Sequence, residues 1–415
     1  MSRPDLAGIE WVRLSFIDAF GTSNSVQIPA GRYDEAAKRG IPFDGSALEG
    51  PARYLESDML LRPEPSTLVD IGGAVARVVC TAHTPDGARW SADPRYALES
   101  LLDDVDDVAG QMTIGAELEF YLLNEQGLPV DAAGYFDEAE NAGSAAVRDA
   151  ADRLAACGIV VDACHHEAGP GQYEIDVGPL PPMQIADGLV LAKQIVRDRV
   201  RRDGMRATFM PRPFSDEPGS GMHLQQRMAG RLVDDAGQLD LEGRGYVAGQ
   251  LTHGRGLSAL AAPTVNSYKR LHAGPEAPGA VVWAHTSRAA LLRVSSYRGR
   301  DASIEYRGGD PSANPYLLLV GLIAAGLDGL ERGLELPMPA EESARGYDPS
   351  TSELRLEPLP RNLDDALDAL LADDVLVDAF DDQLLARLVD GRRAEAEAYR
   401  SLVTDWERAR YLDEA

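Results

Sequence analysis

At 415 residues, 44% of them hydrophobic and 26% charged, the chain is long enough for two or three cored domains, because a single core stops growing near about 250–300 residues. Lysine plus arginine number 40 against 67 aspartates plus glutamates, and the resulting net charge of −27 argues against a nucleic-acid or anionic-membrane partner. Cys80, Cys157 and Cys164 form an odd set with no paired spacing, which fits a reducing cytoplasm, offers no zinc motif and reads most simply as buried small hydrophobes.

The first residues lack an apolar signal segment, and no window reaches the ~18 apolar residues of a membrane span, so the sequence reads as cytosolic. Residues 8–30 alternate apolar and polar around the turn signal Ala19-Phe20-Gly21-Thr22, which predicts a hairpin. A short helix at 33–38 and a strand at 74–80 complete a small mixed domain. It ends near Asp93-Pro94, where turn chemistry hands over to a helix at 96–102. A strand from residue 111 carries Glu117 and Glu119, and 145–157 has helical periodicity. Residues 163–167 and 172–177 read as a hairpin about Gly169-Pro170-Gly171, followed by a long helix over 182–202 and a strand over 206–210. Glycines at 218–221 and across 243–256 read as loops near a ligand. The apolar run 315–327 predicts a buried helix, and the charged segment 362–415 a helical, solvated face.

Residues two apart on a strand share a face, so Glu117 and Glu119 project together. Alone such a pair is common on surface strands; the 163–177 hairpin adds Glu167 and Glu174 to a common space. Acids set side by side repel unless a hard cation such as Mg2+ or Mn2+ makes them ligands. His223 closes Gly219-Ser220-Gly221-Met222-His223, where the backbone can approach a ligand closely, and Glu305 lies in Ser303-Ile304-Glu305-Tyr306-Arg307. Five carboxylates and one imidazole suit such cations better than zinc. Lys269, Arg270, Arg288, Arg293 and Arg307 supply groups that suit carboxylates and phosphates. There is no Gly-x4-Gly-Lys-Ser/Thr loop, so a nucleotide would have to be held by metals and arginines. The pattern points to a phosphate-handling enzyme.

Over nearly its whole length the chain resembles the glutamine synthetase family. The resemblance rests on Phe43-Asp44-Gly45-Ser46, 56–59, 115–120, Gly134-Tyr135-Phe136, 165–174, 207–211, 219–223, 263–270, Glu276-Ala277-Pro278, 304–307, 310–316 and Asp405-Trp406-Glu407. It implies an α+β fold, with an N-terminal β-grasp domain over 1–97 and a catalytic domain with a curved antiparallel sheet over 98–415. It implies two stacked hexameric rings with active sites between subunits. By position, Glu119, Glu167 and Glu174 would hold one Mg2+ or Mn2+, and Glu117, His223 and Glu305 the other, with ATP phosphates between them. Arg270 and Arg307 would grip glutamate, with Gly219 beside it. Arg288 and Arg293 would stabilise the transferring phosphoryl group, and Gln225 stands where the family approaches ATP. Glu276 would shield the acyl phosphate and take a proton from the amine, and Tyr135 with Asp44 of a neighbouring subunit would bind ammonium.

Several positions depart from the pattern. Pro218 replaces a glutamate-binding Asn, Ala47 a Ser and Pro275 a Tyr; Gln225 and Arg227 replace a His and a Ser, and Ser303 replaces an Arg for which Arg298 or Arg300 could substitute. The segment 354–359 has no modifiable Tyr, which argues against adenylylation. The ligand set is intact while the pocket around it has lost groups that fit ammonium, so an organic amine or polyamine is the expected acceptor. Pro218-Gly219-Ser220-Gly221-Met222-His223 also looks like the glutamate-polyamine ligase branch. The alternatives are a true glutamine synthetase, a non-catalytic ring, or an acid other than glutamate.

Overall fold

The computed structural model describes residues 6–49, 58–105, 110–138, 140–228, 232–234, 236–272, 277–294, 302–341 and 356–414. Strands β1 (Trp11–Ile17) and β2 (Ser23–Pro29) form the expected hairpin, with Ile17 opposite Ser23, and α1 (Tyr33–Arg39) follows. β3 (Ile41–Asp44), β4 (Asp58–Pro63), β5 (Val69–Gly72) and β6 (Val75–His83) complete a sheet ordered β2-β1-β6-β4-β3, with β5 also on β6. Alternation sets its two faces. Val12, Leu14 and Phe16 of β1 enter a small core with Ile28, Tyr33, Leu61 and Val78, while Arg13, Ser15 and Ile17 face the rest of the molecule.

Asp93 caps α2 (Pro94–Asp104) by accepting from the Arg95 amide, with Pro94 at the first turn where its missing N–H costs nothing. The second sheet is built on β7 (Met112–Leu123). It adds β8 (Val161–His166), β9 (Gln172–Leu180), β10 (Arg206–Thr208), β11 (Met222–Met228), β12 (Trp283–Ala284), β13 (Leu292–Val294) and β14 (Ile304–Tyr306). Their order is β12-β13-β14-β11-β7-β9-β8, with β10 on β7, and every pairing except β12 with β13 is antiparallel. Ala116, Leu118 and Phe120 of β7 are buried in the main core, so Glu117 and Glu119 must emerge on the opposite face.

Helices α3 (Ala142–Ala156) and α4 (Pro182–Arg202) pack beneath this sheet, α4 burying Ile185, Leu189, Ala192 and Val196. After them come α5 (Leu241–Thr252), α6 (Gly254–Ala261), α7 (Ser267–Leu271) and α8 (Pro315–Glu331). The chain closes with α9 (Leu363–Leu371), α10 (Asp374–Asp378), α11 (Asp382–Arg400) and α12 (Asp405–Tyr411). As expected, α8 is a buried helix, and none is long and apolar enough to cross a membrane among the described residues. Cys80 and Cys157 are buried, Cys164 is half-buried, and all three are free.

Two expectations are corrected. The glycines of 243–256 do not make ligand loops; they lie in α5 and α6. A Cβ on Gly249 would fall 2.1 Å from the Ala325 carbonyl oxygen and 2.8 Å from the Gly329 nitrogen, so these residues are small to let the backbones of α5 and α8 touch. The overlooked signal is Gly245 and Gly249 facing Ala325 and Gly329, two pairs each spaced by four. The C-terminal segment is also not one solvated face. Leu363, Leu367 and Leu370 of α9 and Leu384 and Leu388 of α11 enter the main core, whereas α12 buries none of its residues.

His253, between α5 and α6, ties three helices. Its Nδ1 lies 2.7 Å from Asp373 Oδ2 and its Nε2 3.0 Å from Asp328 Oδ2. Both nitrogens face carboxylates, so both donate and the ring is an imidazolium. Burial opposes that charge, but the bonds to Asp373 and Asp328 outweigh it and raise the His253 pKa above its ordinary value of 6.5. A raised folded pKa gives stability that is fully present below the unfolded value and is lost as pH rises through the folded one. The unfolding temperature should therefore fall from about pH 6 to pH 9, and His253→Gln should flatten that part of the profile. His253→Ala removes a donor from each of two half-buried carboxylates, of which Asp328 keeps Arg332 at 2.9 Å, and should cost about 1–3 kcal/mol in chemical denaturation.

Candidate functional site

Strand register assembles one polar face. Across β9, β7 and β11, Asp176 lies opposite Glu117 and Glu117 opposite His223. One row on, Glu174 lies between His165 of β8 and Glu119; on the other side Gln225 lies opposite Glu305, and Glu305 opposite Arg293. Directly opposed residues share a face, so residues scattered over more than a hundred positions converge without special loops.

His223, Glu117 and Glu305 form the tighter group, with one ligand atom from each within 4.8 Å of the others. His223 Nδ1 is 2.8 Å from Glu117 Oε2 and 3.6 Å from Glu305 Oε1. The Arg270 guanidinium donates to His223 Nε2 at 3.3 Å, so that nitrogen accepts and Nδ1 carries the proton given to Glu117. Gln225 Nε2 donates to the other Glu117 oxygen at 2.7 Å. Burial acts to raise the Glu117 carboxyl, but the His223 contact, the Arg307 charge and the Gln225 amide hold it well below the usual carboxylate range. Glu305 is 3% exposed and accepts from Arg293 at 2.7 Å and Arg307 at 2.5 Å. Two carboxylates and an imidazole are a donor set that fits Mg2+ or Mn2+.

The second expected set is arranged differently. Glu119, Glu167 and Glu174 do not close to within 4.8 Å; the compact group is His165, Glu174 and Asp176. Two of these acids accept from neighbouring donors: Glu119 from the Gly221 amide at 2.8 Å and the Gln172 side chain at 3.4 Å, Glu167 from the Ala168 amide at 2.9 Å. Like charge is the physical reason for the spreading. Burial first, then the Glu119 charge, push Glu167 up to about 7, and burial with Glu119 and Glu117 raises Glu174 strongly, leaving it to share a proton with Asp176. Acids so crowded suit a cation. His165 and Asp176 were not singled out in the sequence. Asp176 follows Glu174 by two on a strand, the same signal that marked Glu117 and Glu119.

The remaining expected residues fall around this face. Arg270 is buried and also donates to the Arg307 carbonyl at 3.2 Å, while Arg307 Nε donates to the Arg288 carbonyl at 2.7 Å. Arg288 is exposed, and its charge acts on Glu167. The Gly219 carbonyl accepts from Gln172 at 3.1 Å. The Pro218 carbonyl accepts from the Tyr121 hydroxyl at 2.8 Å, and its ring offers no amide to a substrate. Tyr135 is 44% exposed, tilted against Phe136 with centroids 4.1 Å apart and edge-on to His165 at 6.1 Å. Asp44 ends β3 on the other sheet, exposed, with its carboxylate accepting from the Ser46 amide at 3.0 Å. Glu276, Pro275, Arg298 and Arg300 lie outside the described residues.

Comparison with known proteins places the chain as a whole. The family descriptions "Glutamine synthetase, beta-Grasp domain" and "Glutamine synthetase, catalytic domain" match residues 8–85 and 91–411. The chain is 37% identical to a glutamine synthetase of Thermotoga maritima, over 97% of this chain and 96% of that one. Among solved structures it resembles apo GmaS at 29% identity and a TM-score of 0.84, covering 98% and 97% of the two chains. It shares its fold with Plasmodium falciparum glutamine synthetase at 20% identity and a TM-score of 0.87, over 99% of each. The chain belongs to the glutamine synthetase family, ligases that use ATP and a divalent metal to join glutamate to ammonia or an amine.

Proposed function

We propose that this chain phosphorylates the γ-carboxylate of glutamate and joins it to an organic amine rather than to ammonia. The observation that carries the amine is the Tyr135, Phe136 and His165 group. Tyr135 and Phe136 are exposed rings tilted at 36° to each other, Phe136 and His165 centroids are 4.7 Å apart, and the His165 Nε2 is 3.4 Å from Glu174. An aromatic shelf beside acids suits a cation with an apolar substituent, at about 0.5–2 kcal/mol per cation–π contact. Ala47, where the family pattern has a Ser in the ammonium pocket, removes a polar group that would suit bare ammonium.

In this reading Glu117, His223 and Glu305 hold one divalent cation, and Glu119, Glu167 and Glu174 the other. When bound, such cations neutralise charge on a transferring phosphoryl group. Arg293 and Arg288 face the same charge, Gln225 borders the nucleotide, and Arg270 and Arg307, beside the Gly219 backbone, take the glutamate carboxylates. The γ-carboxylate oxygen accepts the terminal phosphoryl group of ATP, ADP leaves, and the amine nitrogen then attacks the acyl carbon. Phosphate departs with the acyl–oxygen electron pair, and Glu276 takes the proton released from nitrogen. Asp44 of a neighbouring copy completes the amine pocket with Tyr135, within a dodecamer. We place the division between the β-grasp and catalytic units at residue 97.

A second reading, ammonia as acceptor, is favoured by the curated relatives, which are named glutamine synthetases. Mg2+-dependent ADP release, with glutamate and a panel of ammonia, methylamine, ethanolamine, putrescine, spermidine and aromatic amines, separates the two. The expected result is the highest kcat/KM with an organic amine, and about a tenfold rise in its KM in Tyr135→Ala with the ATP KM unchanged. Turnover with ammonia alone contradicts the proposal. Absence of ADP release with every amine favours a non-catalytic ring.

A further inference from the structure

A second crevice, about 660 Å³, lies between the two sheets' domains and away from the acidic face. Its walls are β1 and β2, one face of α4, residues 207–211 and the turn Pro311-Ser312. The α4 residues that line it, Val190, Lys193, Gln194, Arg197, Asp198 and Arg201, follow helical spacing, so this is one stripe of a helix whose other side is core. Four of its lining side chains are cationic, Arg13, Lys193, Arg197 and Arg201, against the single carboxylate of Asp198. In a chain of net charge −27 with Lys193 among only three lysines, that is a local reversal of sign.

The groups are poised rather than satisfied. The Ser15 hydroxyl, the Arg13 Nε and the Gln194 amide nitrogen are buried without a hydrogen-bond partner, and Ser15 is 1% exposed. Lys193 is buried and gives one bond, to the Pro311 carbonyl at 2.7 Å, while its ammonium has capacity for three. Burial, then the neighbouring Arg197 charge, push the Lys193 ammonium down to about 8, which an anion alongside would relieve. The Arg197 guanidinium carbon lies over the Phe209 ring, 4.8 Å from its centroid. Arg13 reaches Asp198 only at 3.5 Å and Arg201 only at 3.9 Å. Serines 15 and 25 are opposed in the hairpin register and add hydroxyl donors. Ser15, Arg13 and Gln194 all line the crevice, so donors left without acceptors belong to the side chains of its walls.

We propose that this crevice binds a small, multiply charged oxyanion, a phosphate or phosphate monoester or a polycarboxylate, separately from the acidic face. Its walls are the backs of active-site segments. The Pro211 carbonyl accepts from the Ser220 amide at 2.7 Å, next to Gly221, and the Pro311 turn follows Asp310, whose charge acts on Arg270. An occupant that differs in affinity between positions of these segments shifts glutamate binding, by linkage.

The test is titration calorimetry of the intact protein, saturated with ADP and Mg2+, using inorganic phosphate, glucose 6-phosphate and citrate as probes. Either phosphate probe binding tighter than citrate identifies the phosphoryl source, and the reverse order the carboxylate source. Arg197→Gln and the milder Ser25→Asp, at an exposed hairpin position, should each weaken binding about tenfold or more while leaving the KM for ATP unchanged. Should Arg197→Gln fail to fold, Ser25→Asp alone decides. Binding that Ser25→Asp retains in full, or no binding at millimolar concentrations, overturns the proposal.

Discussion

Glu305→Gln is expected to lower kcat/KM about 100–1000-fold. Glu305 is the point where three parts of the site meet: it accepts from Arg293 at 2.7 Å and Arg307 at 2.5 Å and stands 3.6 Å from His223 Nδ1. Glutamine keeps the shape, loses the charge and turns one acceptor into a donor aimed at a guanidinium. Removing the charged partner of a buried pair costs about 3 kcal/mol or more, because the remaining charge stays desolvated. The loss also removes one oxygen from the proposed cation-holding set of Glu117, His223 and Glu305. Mn2+ binding followed by titration calorimetry should therefore weaken together with activity. Full Mn2+ affinity with lost activity would assign Glu305 to the arginines alone.

Gly221→Ala should cost about 100-fold in activity from a single methyl group. A Cβ there would fall 2.5 Å from His223 Nε2, 2.8 Å from Arg270 Nη2 and 3.1 Å from Glu119 Oε1, touching the imidazole, the arginine and the acid together. The backbone has little room to retreat. Gly221 donates to Glu119 Oε2 at 2.8 Å and accepts from the Glu119 amide at 3.1 Å, while the neighbouring Ser220 amide is held by Pro211. Overpacking of this kind costs about 1–3 kcal/mol, which a chain of this core size can survive folded. Circular dichroism should show a native fold; wild-type activity in the folded variant would mean that the contacts at Gly221 are not needed for function.

Much of this was legible in the sequence because strands have a strict period. Glu117 with Glu119, the Gly169–Gly171 turn and the alternation of β1 each follow from side chains reversing face at every residue, and the structure shows the expected hairpins and helices close to their expected limits. What was not legible depends on partners distant in sequence. Gly245 and Gly249 read as loop residues until Ala325 and Gly329 are placed against them. His165 acquires meaning only through its register with Glu174. The cationic stripe of α4 becomes a wall of a crevice only once β1 is laid across it. Charge was the other blind spot, since composition gave −27 for the whole and no hint of a basic crevice within it.

The proposed amine acceptor is tested most directly by competition. Glutamate, ATP and Mg2+ are supplied with equal concentrations of ammonium and methylamine, then ammonium and putrescine, and the γ-glutamyl products are resolved by mass. The substituted amide is expected to dominate in at least one pair, and Tyr135→Ala to shift the product ratio toward glutamine. Glutamine as the dominant product in every pair, with a ratio indifferent to Tyr135, would contradict it.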